Sequence, residues 1–336
     1  MARESRARRD HHQGSAQLSP RMRDGLSRRS RRTDPLGAPL TRAVLIHNPA
    51  AGRQKRAHKQ IAQFQQMLAE RGIVLDVLTT SVPGEATRLA RQAVSEGAEC
   101  LIVRGGDGTV NEVVQGIVGE PVTLALWPAG TANVLAEVLG LPRRLPDVVR
   151  MIAEHHTHCL SLGRANGRYF VLMVGMGLDA SIVRQVNPWL KRHLGILAYW
   201  VAGVKHLFMW KAPTFTLELG DHRVRATFAA IANVPSYGGG IRMAPDARPD
   251  SEELRACVIT SRSRLLYLFF YLPLAFLGWH IHQPGVLYVS VRRGRAYTDP
   301  EVEIPFQVDG ELAGTLPVEF EIIPRALRIV VPRASS

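Results

Sequence analysis

Strand-like and helix-like segments alternate four times between Ala43 and Leu139, glycine-bearing loops recur after the strands, and from about residue 158 the pattern changes to short alternating strands. Alternating strands and helices pack as a parallel sheet covered on both faces. A run of short strands reads as an antiparallel assembly. The predicted fold class is therefore α/β plus β: an N-terminal Rossmann-like, doubly wound parallel-sheet domain, then a mostly antiparallel β-sandwich domain, with a ligand site in the cleft between them. The predicted boundaries are a basic tail over residues 1–40, an α/β domain over 41–157 and a β-rich domain over 158–332, the last strand being free to return to the first domain.

Each element has its own signal. Ala43 to His47 is an apolar run, and the helix after it carries Ile61, Phe64 and Leu68 until Gly72 ends it. Ile73 to Leu78 reads as a second strand and Glu85 to Glu96 as a second helix. Cys100 to Val103 reads as a buried parallel strand, followed by Val110, Val113, Val114 and Ile117 at i, i+3, i+4 and i+7, one face of a helix. Val122 to Trp127 is a fourth strand, and a short helix from Asn133 to Leu139 is ended by Gly140 and Pro142. In the second half, strands are predicted at Tyr169 to Val174, Phe215 to Leu219, Val224 to Asn233, Ala256 to Thr260, Val286 to Val291 and Val302 to Val308. A helical insertion is predicted from about Ala180 to Trp210. Leu265 to Trp279, read LLYLFFYLPLAFLGW, is too short to span a bilayer and is expected to be a buried helix. The alternative is a surface that dips into a membrane, because Arg262 and Arg264 precede it and Arg292, Arg293 and Arg295 follow.

Ligands of doubly wound sheets collect at the carboxyl ends of the strands, and three small, polar loops lie at those ends. They are Asn48-Pro49-Ala50-Ala51-Gly52, the GGDGT loop from Gly105 to Thr109, and Pro128 to Asn133. Gly105, Gly106 and Gly108 let the backbone approach a phosphate without a Cβ in the way, while Thr109 is placed to cap the helix whose free amides point at an anion. Asp107 does not belong against a phosphate unless a cation lies between them, which points to a bound Mg²⁺. The stretch is read as a nucleotide-phosphate site, in the cleft between the domains.

Composition narrows the class further. The formal charge of +13 is uneven, since residues 1–40 hold ten Arg against four acids. This segment reads as a disordered basic tail. It has no apolar h-region, so it is not read as a secretory signal. Such a tail suits anionic lipid, and with no aromatic residue in it there is no stacking platform for bases, so no specific nucleic-acid partner is expected. Cys100, Cys159 and Cys257 are far apart in apolar runs and read as core residues of a reducing compartment. His155, His156 and His158 match no zinc spacing, which favours a loop or strand-edge role.

GGDGTVNEVVQG, with NPAAG upstream and PAGTANVLAEVLGLP downstream, resembles the diacylglycerol kinase catalytic domain of bacterial YegS-type lipid kinases and of sphingosine and ceramide kinases. The likeness continues through VGMGLDASIV, IANVPSYGGGIRMAPDA and FQVDGELAG and covers about residues 42–332. The resemblance implies an ATP- and Mg²⁺-dependent transfer of the γ-phosphoryl group to a lipid hydroxyl, diacylglycerol-like or sphingoid-like, a reaction that depends chiefly on positioning and charge neutralisation. It implies nucleotide contacts from Asn48, Pro49, Gly52, Thr80, Gly105, Gly106, Asp107, Gly108, Thr109, Asn111, Glu112, Gly130, Thr131 and Asn133, with Asp107 orienting Mg²⁺. From the second domain it implies that Asp309 and Glu311 of the DGE turn form the catalytic base region, with Asp107 completing the catalytic set. The implied partners are the lipid and an anionic membrane surface, with a homodimer also compatible, and the implied location is the cytoplasm, peripheral to the inner face of the membrane.

Two departures from the family pattern stand out. Where many members read GTGND this chain has Val134 in place of the Asp, as sphingosine kinases also have an apolar residue there. Where relatives carry an Asp-Gly pair that binds a structural Mg²⁺, an ungapped match places Ser251 at the Asp and displaces Asp250 by one. Two other readings follow from the same residues. NAD kinases also use GGDGT, against which stand the GTAN loop, the GGG-x-x-x-AP stretch and the VDGE turn. A non-catalytic lipid-binding pseudokinase is suggested by Val134 and Ser251 and opposed by Asp107, Asn133, Asp309 and Glu311.

Overall fold

The computed structural model describes residues 39–51, 54–185, 206, 210–237 and 239–333. Nearly all of the basic tail, Gly52 and most of the helical insertion expected at 180–210 lie outside the described residues. Four parallel strands, β1 (Arg42–His47), β2 (Val74–Thr79), β3 (Cys100–Gly105) and β4 (Thr123–Pro128), lie in the order β2-β1-β3-β4. Every residue of β3 is buried, which is why its sequence is a continuous apolar run and does not alternate. The helices are α1 (Gln54–Ala69), α2 (Glu85–Ser95), α3 (Asp107–Ile117), α4 (Val134–Val138) and α5 (Leu145–Glu154), with α6 (Leu178–Gln185) following in the second half. Phe64 and Leu68 of α1, and Val110, Val113, Val114 and Ile117 of α3, are the buried stripes that hold these helices on the sheet.

Strand order reverses between β1 and β3, so a crevice opens beyond their carboxyl ends. Backbone hydrogen bonds set the loops around it. Asn48 N–H donates to the Arg104 carbonyl at 3.0 Å, and Ala129 and Gly130 N–H both donate to the Gly105 carbonyl at 3.1 Å.

The second half builds two sheets. β5 (Thr157–Ala165), β6 (Arg168–Phe170), β8 (Phe215–Leu219), β9 (His222–Ala226), β13 (Arg293–Tyr297) and the long β16 (Val318–Val330) extend the first sheet to ten strands. β16 is the joint: Ile329 pairs in parallel with Leu124 of β4, while Glu321 pairs with Arg293 of β13. The other sheet has six strands in the order β12-β11-β10-β7-β14-β15, formed by Val286–Val291, Leu254–Ile259, Phe228–Ala232, Met173–Gly177, Pro305–Val308 and Glu311–Thr315. Its alternate residues face two cores. Val174, Met176, Ala229 and Ile231 pack against Phe215, Leu217 and Phe320 of the larger sheet, forming the predicted sandwich. Met173, Phe228, Ala230 and Ile259 face the other way, toward Leu178, Trp210, Tyr267 and Tyr271.

Several local expectations are corrected. The strand predicted at Tyr169 to Val174 is two strands in different sheets, because the N–H groups of Val171, Leu172 and Met173 turn toward one carboxylate, that of Asp309. The run Val224 to Asn233 is likewise divided at Thr227, whose N–H donates to the Ile259 carbonyl and whose hydroxyl meets Ser261 and Tyr267. Helix α5 and strands β5, β13 and β15 carried no expectation. Leu265 to Trp279 is not simply a buried helix: a helical segment at 264–277 (α7), with a π turn at Tyr267–Tyr271, buries Tyr267, Tyr271 and Ala275 and exposes its other face. The π turn ends two residues before Pro273, whose ring would crowd the Phe269 carbonyl in a regular α-helix. Cys100 and Cys257 are buried as expected, Cys159 is half-buried, and all three are free thiols.

Candidate active site

A cavity of about 710 Å³ runs from the crevice at the strand ends into the β-rich lobe. Its polar end is lined by Asn48, Pro49, Thr80, Thr131 and Glu112, and by Gly106 to Thr109 at the start of α3. These are residues the sequence assigned to nucleotide. The free amides of a helix start make that end suited to an anion.

The loops brace one another through residues the sequence also singled out. Helix α3 starts at Asp107 with Gly106 as its cap and no side-chain cap bond, so Thr109 is not the cap but sits in the first turn. Its hydroxyl instead accepts a 2.9 Å hydrogen bond from Asn48 Nδ2, tying the first loop to the second. Asn48 Oδ1 turns its own loop by accepting from Ala50 N–H at 2.9 Å. Asn133, in the left-handed region at φ 49°, braces the third loop by accepting from Gly130 N–H and donating to the Gly130 carbonyl. Gly130 is required where it stands, since a Cβ there would meet Gly106 Cα at 2.5 Å. Gly105, Gly130 and Asn133 thus shape the polar end without lining it, and Gly52 lies outside the described residues.

Four carboxylates approach this end. Asp107 accepts from Leu135 N–H at 3.4 Å at the start of α4, and burial raises its pKa against that help. Glu112 accepts from Ala86 N–H at 3.1 Å, joining α3 to α2. The other two come from the turn between β14 and β15, where Asp309 and Gly310 have φ of 49° and 82°. Positive φ at both central positions makes this a two-residue hairpin of the kind that Asp-Gly favours.

Asp309 is held by four donors. Its Oδ1 accepts from Leu172 and Met173 N–H at 2.9 Å each, and its Oδ2 accepts from Val171 N–H at 2.8 Å and Asn111 Nδ2 at 2.7 Å. Burial outweighs these bonds and pushes its carboxyl up to about 6. Asn111 therefore joins the lobes and does not line the cavity. Glu311 is held differently. Arg168 Nη2 donates to its Oε2 at 2.6 Å, and its Oε1 lies 3.4 Å from where a Cβ on Gly108 would stand. Its carboxylate therefore hangs over the GGDGT loop from the opposite lobe.

Asp250 and Ser251 are elsewhere. Asp250 faces His158 at 3.8 Å and receives a forked pair of bonds from Arg248, which together hold its carboxyl well below the usual range. Ser251 Oγ accepts from Glu253 N–H in a local turn. Neither lines the cavity. Among the described residues no three His, Cys, Asp or Glu side chains cluster into a metal site. The donor set at the polar end, hard oxygens dominated by Asp107, fits a Mg²⁺ ion that is shared with nucleotide phosphates and not one enclosed by protein alone.

Sequence reasoning missed two residues here. Arg168 faces Glu311 across 143 positions, a distance no local pattern reports. Asp179 lines the cavity, accepts from Gln307 Nε2 at 2.7 Å and is pushed up to about 6 by burial. Gln307 Oε1 in turn accepts from Gly310 N–H at 2.6 Å, so Asp179 braces the turn that carries Asp309 and Glu311. One acid inside the apolar run VGMGLDASIV was the available signal. Beyond Asp179 the cavity becomes apolar, walled by Phe228, Ile241, Met243, Ile259, Tyr267 and Leu272.

A helix start suited to an anion, with carboxylates reaching it from a second lobe and an apolar chamber behind, is an arrangement that suits a phosphotransferase acting on an apolar acceptor. Comparison with known proteins makes the assignment particular. The Diacylglycerol kinase catalytic domain matches residues 42–165, and the YegS C-terminal NAD kinase beta sandwich-like domain matches residues 172–331. The chain is 28% identical over 303 residues to the diacylglycerol kinase of Bacillus subtilis (strain 168), covering 88% of this chain and 97% of that one. It is 29% identical over 296 residues to the diacylglycerol kinase of Staphylococcus haemolyticus (strain JCSC1435), covering 87% and 88%. A solved diacylglycerol kinase structure from Bacillus anthracis str. Sterne shares the fold, with a TM-score of 0.69 at 24% identity over 88% of this chain and 99% of that one. The chain belongs to the diacylglycerol kinase catalytic domain family, a family of lipid kinases.

Proposed function

We propose that this protein transfers the γ-phosphoryl group of ATP, as its Mg²⁺ complex, to the hydroxyl of a diacylglycerol-like lipid drawn from an anionic membrane surface. One observation carries the reading: Glu311 overhangs the GGDGT loop at Gly108 inside the same cavity that continues into an apolar chamber. Phosphate end, carboxylate and acyl-sized space follow one another in the order the reaction needs.

In this reading the amides of Gly106 to Thr109 receive the terminal phosphates, and Asn48, Thr80 and Thr131 close around the rest of the nucleotide. Asp107 would hold Mg²⁺ directly or through water, and the ion would supply neutralisation of the phosphate charge. Glu311 is free on the side facing Gly108 and takes the acceptor proton, while Arg168 sets its orientation. Asp309 has both oxygens committed to four donors, which supports a role in positioning the turn. The acceptor's apolar chain fills the space between Phe228 and Leu272.

Purified protein with labelled ATP and Mg²⁺ is to be offered diacylglycerol, phosphatidylglycerol, a sphingoid base and ceramide in detergent, with NAD as a control. A labelled lipid, with diacylglycerol preferred, is the expected product. Label in NAD alone, or in nothing, overturns the reading.

A further inference from the structure

We infer that the outer face of α7, with Trp279 just beyond it, docks on an anionic lipid bilayer and opens the acceptor chamber directly to that bilayer. The inference rests on the lipid-kinase reading for its purpose but on independent observations for its location.

The first observation is that this helical segment is apolar all round. Its inner face, Tyr267, Tyr271 and Ala275, is buried. Its outer face should then be polar in a helix that meets only water. Instead Leu265, Phe269, Leu277 and Trp279 are 66%, 71%, 54% and 58% exposed, with Leu266, Phe270 and Phe276 exposed beside them. Seven large apolar side chains within fifteen residues form a contiguous patch of the kind that marks a lipid or protein interface and not scattered surface residues.

Charge identifies the occupant. From Leu254 to Thr298 the chain has no Asp or Glu and six Arg, of which Arg255, Arg292 and Arg295 pair with acids from elsewhere in the chain. Arg262 and Arg264, at the start of the segment, are exposed. Arg242 is exposed as well, and its backbone N–H donates to the Ala275 carbonyl, which places a third cation beside the patch from another part of the chain. Apolar side chains rimmed by arginine, with Trp at the edge, suit insertion to the depth of the headgroup boundary over anionic lipid. A second copy is disfavoured as the occupant, because it would bring arginine against arginine.

Continuity gives the docking its use. Tyr267, Leu268, Tyr271, Leu272 and Ala275 line the cavity that ends at the GGDGT loop. One helix thus has a face toward the bilayer and a face toward the acceptor site, so a lipid can pass beside it without entering water. Among the described residues no helix is long and apolar enough to cross a membrane, and the contact is therefore one of lying on the surface.

The test uses the full chain with large vesicles of phosphatidylcholine and about one third phosphatidylglycerol. Phe269→Ser/Trp279→Ser is expected to weaken sedimentation with these vesicles about tenfold or more, while the thermal melt and the turnover of detergent-dispersed acceptor stay near wild type. Brominated phosphatidylcholine is expected to quench part of the tryptophan fluorescence, a part that Trp279→Phe lacks even if the basic tail also tethers the protein. Absence of any Trp279-dependent quenching overturns the proposal. So does a large fall in melting temperature, which would make the patch core, or a wild-type dimer that the double variant dissolves. If no acceptor is phosphorylated in detergent but Trp279-dependent quenching persists, docking stands and the kinase reading falls.

Discussion

Asn111 donates a 2.7 Å hydrogen bond to Asp309, joining the fifth residue of the GGDGT-linked helix to the hairpin turn of the other lobe across 198 positions of sequence. Asn111 is almost fully buried, and its amide also reaches the Tyr169 carbonyl at 3.1 Å. The pair therefore fixes how far Glu311 stands from Gly108, and with it the geometry of the whole site.

Asp309→Ala is expected to destabilise the fold as well as slow it. The change leaves three backbone N–H groups and the Asn111 amide without their acceptor, a cost on the order of 3 kcal/mol after partial rescue by water. Urea unfolding measures it. A midpoint unchanged from wild type would mean that the joint contributes nothing.

Glu311→Gln should act on the rate alone. It removes a proton acceptor while leaving the side chain able to meet Arg168 Nη2 through its amide oxygen. Loss of a general base corresponds to about a hundredfold or more in kcat with little change in the KM for ATP. Arg168→Ala should lower kcat by less and leave the pH profile in place. Full turnover by Glu311→Gln would move the base role to another group.

Asp107→Asn keeps an oxygen for Leu135 N–H but loses the charge that faces the metal. Phosphorylation is expected to fall about a hundredfold or more with the fold intact, and raising Mg²⁺ should recover little of it. Wild-type activity at saturating Mg²⁺ would remove Asp107 from the metal site.

Gly130→Ala tests the loop contact. A Cβ 2.5 Å from Gly106 Cα must push the third loop away from the second. About a tenfold rise in the KM for ATP is expected, since small misplacements at a phosphate site are costly. Unchanged nucleotide affinity would show the two loops to be independent.

Asp179 and Asp309 give a pH signature. Burial pushes both carboxyls up to about 6, well above the usual carboxylate range. The folded protein therefore binds these protons more tightly than the unfolded chain. Their contribution to stability is present in full below about pH 4 and is lost as pH rises through about 6. Buried His47 and His280 have lowered pKa values and act in the opposite direction, so the test is a difference and not a raw curve. Asp179→Asn should be more stabilising relative to wild type at about pH 7.5 than at about pH 4.5, by urea midpoint. A pH-independent difference would mean that Asp179 does not titrate in this window.

Much of the α/β half was legible because its cues are local. Apolar periodicity put Val110, Val113, Val114 and Ile117 on one buried face, and the loops at Asn48, Gly106 and Thr131 could be assigned to one edge of the sheet from strand order alone. The Asp309-Gly310 dipeptide announced its hairpin, because few other pairs accept positive φ at both positions. These properties belong to short stretches of chain, and no distant contact is needed to state them.

Tertiary structure decided what depends on partners far away in sequence. Tyr169 to Val174 carries a sound strand pattern, yet it divides where Asp309 collects its N–H groups. Asn111 looked like a nucleotide contact and is a joint between lobes, while Arg168 showed no sign of its pairing with Glu311 until folding brought them to 2.6 Å. The segment 265–279 shows the limit most clearly. Hydrophobicity says that a residue avoids water but not which of two apolar faces finds protein to cover it, and only packing left Tyr271 buried and Phe269 exposed.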